Sequence, residues 1–87
     1  MIRYTVLWAK KAESELATLW LAYPDRQAIS DATDRIDATL REDAHTKGWP
    51  LPQAIRSVSS GPLTAYFRVD EHDRKAFVDF IKLTDSN

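Results

Sequence analysis

Eighty-seven residues, 44% of them apolar and 29% charged, describe a chain that folds around one modest core rather than a disordered one. Twelve basic against thirteen acidic residues leave a net charge of -1, without the basic excess by which dedicated nucleic-acid binders hold phosphates, so such a role needs a local basic face. The absence of cysteine excludes disulfides, thiolate metal sites and thiol nucleophiles.

No apolar run approaches the ~20 residues that a bilayer span requires. The opening MIRYTVLWAKK is too short and too soon amphipathic for a signal peptide. The expectation is a cytoplasmic protein with no membrane partner.

Ile2 to Trp8 alternates, with Ile2, Tyr4, Val6 and Trp8 on one side and Arg3, Thr5 and Leu7 on the other, which predicts a strand with a strongly apolar face. Residues 10–23 change period. Ala12, Leu16, Leu19, Trp20 and Tyr23 form one helical stripe, and Pro24 ends it. Pro24 and Asp25 suit the start of a second helix, as N1-type and early acidic residues. There Ile29, Ala32, Thr33, Ile36 and Leu40 repeat the helical spacing. The short turn between the two makes an antiparallel helical hairpin. Residues 44–53 are a loop punctuated by Gly48, Pro50 and Pro52, and Trp49 and Leu51 are expected to dock on the domain and hold it down.

Three strands follow: Ala54 to Ser59, Leu63 to Val69 and Ala76 to Leu83. They are joined by hairpins at Ser59-Ser60-Gly61-Pro62 and at the polar tip Asp70 to Arg74. The predicted fold class is α+β: an N-terminal strand, a two-helix hairpin, then a three-stranded antiparallel meander, with the helices on one face of the sheet. It forms a single domain over 1–87 with a frayed tail at 84–87. Trp8, Leu16, Leu19, Trp20, Ile29, Ile36, Leu40, Phe67 and Val69 are the expected core.

A sheet covered by helices on one side leaves its other side for function. Thr64, Tyr66 and Arg68 alternate onto that open face. Arg56, Tyr66, Arg68 and Lys82 are the candidate site residues, with Arg68 also placed to pair with Asp79. Lys82 shares parity with Val78 and Phe80, so it reaches the open face only across a bulge. Other clusters have simpler readings. Asp70-Glu71-His72-Asp73 is a solvated hairpin tip rather than a metal site, and Asp31, Asp34 and Asp37 fan over an exposed helix side. His45 is a lone loop histidine, and Trp8 and Trp20 are core aromatics. No metal or cofactor is expected.

The segments YTVLWAKKAESELATLW and IRSVSSGPLTAYFRVD, the latter with Ile55, Arg56, Phe67, Val69 and Asp70 at fixed offsets, resemble the RelE/ParE superfamily of type II toxin-antitoxin toxins over almost the whole chain. The resemblance implies a small toxin neutralised by a cognate antitoxin. The RelE-like branch cleaves messenger RNA on the ribosome, and the ParE-like branch poisons DNA gyrase without nuclease activity. The RelE-like branch commonly carries an arginine where this chain has Thr64. That branch also closes with an arginine and a late tyrosine or histidine, where this chain ends its last strand in Lys82, Leu83, Thr84 and Asp85.

The resemblance therefore implies a toxin-like component that binds a protein target in the ParE-like manner or has lost its activity. The alternative is a RelE-like ribosome-dependent endoribonuclease with a divergent site. There Arg56 and Arg68 would hold phosphates, Lys82 would supply a further cation and Tyr66 would stack on a base. The expected partner is an antitoxin peptide lying over apolar surfaces left by so small a core, with homodimerisation of the chain on its own.

Overall fold

A computed structural model describes residues 1–84. The elements are β1 (Thr5–Trp8), α1 (Lys10–Ala22), α2 (Arg26–Arg41), β2 (Trp49–Pro50), β3 (Arg56–Ser60), β4 (Leu63–Asp70) and β5 (Lys75–Leu83). The strands form one sheet in the order β1-β5-β4-β3-β2. β3, β4 and β5 are the predicted antiparallel meander, but β1 pairs with β5 in parallel, so the sheet is mixed. Both helices and the strands β2 to β4 lie between β1 and β5 in the chain, the long connection that a parallel pair needs.

The helices begin and end for local reasons. Asp25 caps α2, its Oδ1 accepting from the Ala28 N–H at 3.1 Å, so Pro24 lies outside the helix rather than in its first turn. Ile29, Ala32, Ile36 and Leu40 place the apolar stripe of α2 in the core with no exposure. From the sheet, Tyr4, Val6, Leu63, Ala65, Phe67, Ala76, Val78 and Ile81 complete that core. Trp8, Leu16, Leu19 and Val69 pack against its margin, half-buried. Trp20 departs from the expected core: it is 38% exposed.

The predicted strand over Ile2–Trp8 is shorter because residues 2–4 bond elsewhere. The Ile2 N–H donates to Asp43 Oδ1 and the Asp43 N–H to the Ile2 carbonyl, both at 2.7 Å, and the Tyr4 N–H donates to the Arg41 carbonyl. The chain's start is thereby clamped to the end of α2. The edge of β5 beyond β1 is covered by α1, where Glu15 Oε1 accepts from the Ile81 N–H at 3.1 Å.

The loop after α2 does not pin itself down as expected. Trp49 pairs through its backbone with Ser57, and its side chain is 72% exposed. Gly48 anchors the segment instead. It has φ +77°, and an added Cβ would meet the Ser57 carbonyl at 2.7 Å and the Phe67 ring at 3.0 Å. The expected frayed tail lies outside the described residues from 85 onward. Thr84 itself is tied back, its N–H donating to the Pro62 carbonyl at 2.7 Å.

Candidate functional site

The open face of the sheet is built around one irregularity. Tyr66 pairs with Phe80 and Phe67 with Val78, so Asp79 is an extra residue bulged out of β5. Up to Val78 the even positions of β5 face the helices. After the bulge Phe80 and Lys82 pair with Tyr66 and Thr64 and share their outer face, while Ile81 turns inward at 2% exposure. The bulge that Lys82 needed is present.

In register, Trp49, Ser57, Tyr66 and Phe80 form one rung across β2, β3, β4 and β5. The Tyr66 and Phe80 rings stack with centroids 4.5 Å apart and planes at 17°. Two cations border them: Lys82 Nζ lies 5.6 Å from the Tyr66 centroid, and Lys11 Nζ, from α1, 5.3 Å from that of Phe80. Sequence reading named Tyr66 and Lys82 but missed Phe80 and Lys11. The bulge hides the side of Phe80, and nothing local tells which strand a helix's first turn reaches.

Arg68 is on this face but engaged. Its Nε and Nη2 donate to the two carboxylate oxygens of Asp79 at 2.6 and 2.9 Å. The hydrogen bonds and then the charge of Asp79 raise the Arg68 pKa further. Both partners are partly solvated, so the pair stabilises the fold by only about 0.2–1 kcal/mol. Thr64 is 7% exposed, and its Oγ1 lies 2.8 Å from both Ser59 Oγ and Thr84 Oγ1. A line of three hydroxyls centred on Thr64 thus occupies the position that the resemblance pairs with a RelE-like arginine.

Proton transfer has little support on this face. Asp79 is neutralised by Arg68. His45 follows α2 and contacts Tyr4, with its Nδ1 2.9 Å from the buried phenol oxygen, and His72 sits in the turn between β4 and β5. That turn is held locally, with the Asp73 N–H donating to Asp70 Oδ1 at 3.0 Å. Among the described residues no group of three His, Cys, Asp or Glu is placed to hold a metal.

Arg56 does not join the other three candidates. It pairs with Phe67, a core residue, so by alternation it sits on the opposite side of the sheet from Tyr66, Arg68 and Lys82. Its Nη1 donates to the Lys47 carbonyl at 3.1 Å. Strand pairing starts at Arg56 rather than Ala54, and Ser57, not Arg56, faces outward beside Tyr66.

A second surface lies between the helices. Trp8, Leu16, Ala17, Trp20, Leu21 and Ile29 line an apolar groove of about 700 Å³, with Glu13 and Asp34 also in its lining. Leu21 is 67% exposed. The Arg26 guanidinium lies 4.6 Å from the Trp20 centroid, and Asp37 accepts from the Trp8 indole at 3.2 Å. Trp20 is thus a groove wall rather than a sealed core residue.

No protein-family model matches the chain, and no curated protein matches it in sequence. Solved structures do. A chain of the RelBE2 toxin-antitoxin complex from Mycobacterium tuberculosis matches over 97% of this chain and 94% of its own, with a TM-score of 0.79 at 17% identity. A chain of the chromosomal ParDE toxin-antitoxin system of P. aeruginosa matches over 95% and 98%, with a TM-score of 0.71 at 15% identity. One from the E. coli RelBE complex matches over 94% and 98%, with a TM-score of 0.53 at 17% identity. The chain has the RelE/ParE-like α+β fold, with β1 and two helices preceding the remaining strands of one sheet.

Proposed function

We propose that this chain is the toxin-like component of a type II toxin-antitoxin module, kept in check in the cytoplasm by a cognate antitoxin, and that it acts by binding a protein target. The observation that carries the partner is the open groove between α1 and α2. Its apolar lining and exposed Trp20 and Leu21 suit the buried stripe of an amphipathic helix. Glu13 and Asp34 favour basic residues beside that stripe. The likeness to chains of RelBE and ParDE complexes supports the same reading. On its own the chain is expected to self-associate through the groove.

Binding rather than cleavage is favoured because the open face pairs its arginine with Asp79 and brings no histidine to Tyr66. One observation favours the alternative, an endoribonuclease on messenger RNA: stacked Tyr66 and Phe80 flanked by Lys11 and Lys82 offer bases a platform and phosphates two cations.

Co-expression with the adjacent reading frame tests the module. The neighbour is expected to co-purify with the wild-type chain and not with Trp20→Asp. A neighbour that never co-purifies, together with harmless expression of the chain alone, would overturn the proposal. Primer extension on messages from expressing cells tests the target. No new cleavage sites are expected; codon-phased sites that vanish in Arg68→Ala would establish the alternative.

A further inference from the structure

Beyond the open face and the groove, a third concavity of about 190 Å³ lies on the helix side of the sheet, at the end of β4 near the loop that follows α2. It gathers three side chains that the functions above leave unused: His45, Arg56 and Glu71. Leu51, Ile55 and Val69 give it apolar walls. We propose that this cleft binds a carboxylate monoanion carried on a short aliphatic stem, with Arg56 and His45 as donors and Glu71 excluding ligands of higher negative charge.

The donors are set by contacts already described. The Tyr4 hydroxyl occupies His45 Nδ1 at 2.9 Å. Tyr4 is 5% exposed, and its phenol pKa is raised, chiefly by burial, so it remains a neutral O–H group. Either partner of that contact can carry the proton; in the proposed site the Tyr4 O–H donates and the imidazole hydrogen lies on Nε2, the nitrogen on the opposite side of the ring. Nε2 has no partner among the described residues. Arg56 is held by one bond only, from Nη1 to the Lys47 carbonyl, and its Nε and Nη2 donors have no acceptor among the described residues. A planar guanidinium with two N–H groups on one edge matches a carboxylate in bidentate fashion.

Charge and size narrow the ligand. Glu71 lines the same cleft, yet no carboxylate lies within ion-pair distance of Arg56 among the described residues. The space between them is left to an occupant. A doubly charged phosphate monoester would face the repulsion of Glu71 with its second charge, which a monocarboxylate lacks. The volume falls below the ~300 Å³ at which ordinary small-molecule sites begin, and suits a group of side-chain size. Two sources share that chemistry: a free short-chain carboxylate, and an aspartate or glutamate side chain of a docked polypeptide.

The test is a titration of the intact chain followed by amide and side-chain NMR, with propionate, N-acetyl-glutamate N-methylamide and inorganic phosphate as probes. Propionate is expected to shift resonances of His45, Arg56 and Val69 in a saturable manner, and phosphate to bind more weakly at neutral pH. Arg56→Lys, which keeps the charge but not the fork, should weaken propionate by about tenfold, equivalent to ~1.4 kcal/mol. Glu71→Gln should tighten it severalfold and narrow the gap to phosphate. The blocked glutamate binding more tightly than propionate assigns the polypeptide source, and the reverse assigns the free carboxylate. Amide spectra that keep their dispersion in the variants show that folding is intact. No saturable shift at the cleft, phosphate preferred over propionate, or weaker binding in Glu71→Gln would each overturn the proposal.

Discussion

The open sheet face and the interhelical groove both expose aromatic rings, but they leave different things unfinished. On the sheet, Tyr66 stacks on Phe80, Arg68 is paired with Asp79, and the hydroxyls of Ser59, Thr64 and Thr84 satisfy one another. In the groove, Leu21 and Trp20 stand exposed on an apolar floor. Exposed apolar area gains most from a partner, whereas satisfied polar groups gain little. The difference teaches that the groove has the more to gain from an occupant, as the proposed function requires, while the sheet face is already organised within the chain itself.

The largest effect is expected from removing what both surfaces rest on. Phe67 is fully buried in the core shared by the sheet and the helices, and its ring lies against Gly48. Phe67→Ala should lower unfolding stability by about 3–5 kcal/mol in urea melts and weaken both functions together. A loss confined to one surface would mean that the two are not built on a common core.

The comparison itself is broken or sharpened by a pair of truncations. Trp20→Ala should lower affinity for the co-expressed partner by about 2 kcal/mol or more, as central aromatic anchors do, and Tyr66→Ala should leave it within about twofold of wild type by calorimetry. The opposite ranking would move the partner to the sheet face. Arg68→Ala should cost only about 0.2–1 kcal/mol of stability, since the pair it breaks is partly solvated.

The smallest effect concerns the clamp behind both surfaces. The Ile2 N–H bond holds the Asp43 carboxyl below the usual aspartate range. Its contribution is therefore complete above about pH 4 and is lost as pH falls through the depressed folded value. Melting temperatures of wild type and Asp43→Asn should differ at neutral pH and converge in acid. A gap that persists in acid would show that the charge is not what matters there.

Most of the architecture is legible in the sequence because two periods carry it. The stripe Ile29, Ala32, Ile36, Leu40 and the alternation Leu63, Ala65, Phe67, Val69 each name a buried face, and Pro24 with Asp25 marks the helical turn. What is not legible is non-local. Alternation is blind to the bulge at Asp79, so the side taken by Phe80 and Lys82 depends on pairing with β4. A strand beginning at Ala54 leaves the register of Arg56 open, so sequence alone groups it with Tyr66 and Arg68, and only pairing with Phe67 places it behind the sheet. Trp20 sits on the apolar stripe of α1, yet whether that stripe is sealed depends on how α2 packs beside it, which no local pattern states. The parallel pairing of β1 with β5 has no local signature.

That parallel pairing also sets when the molecule can exist. β5 lies between β1 and β4, so of the five strands the one made after the other four is interior to the sheet, and its partner Thr5–Trp8 is made before the other four. The helical hairpin, rich in local contacts, can form early, but contacts between the chain's ends close the largest loop and come late. Phe80 and Lys82 of the open face belong to that final strand. A nascent chain therefore carries neither the stacked rung nor a closed core. Whatever the open face does begins only after synthesis has passed β5, so the helical hairpin and its groove can form before the open face is complete.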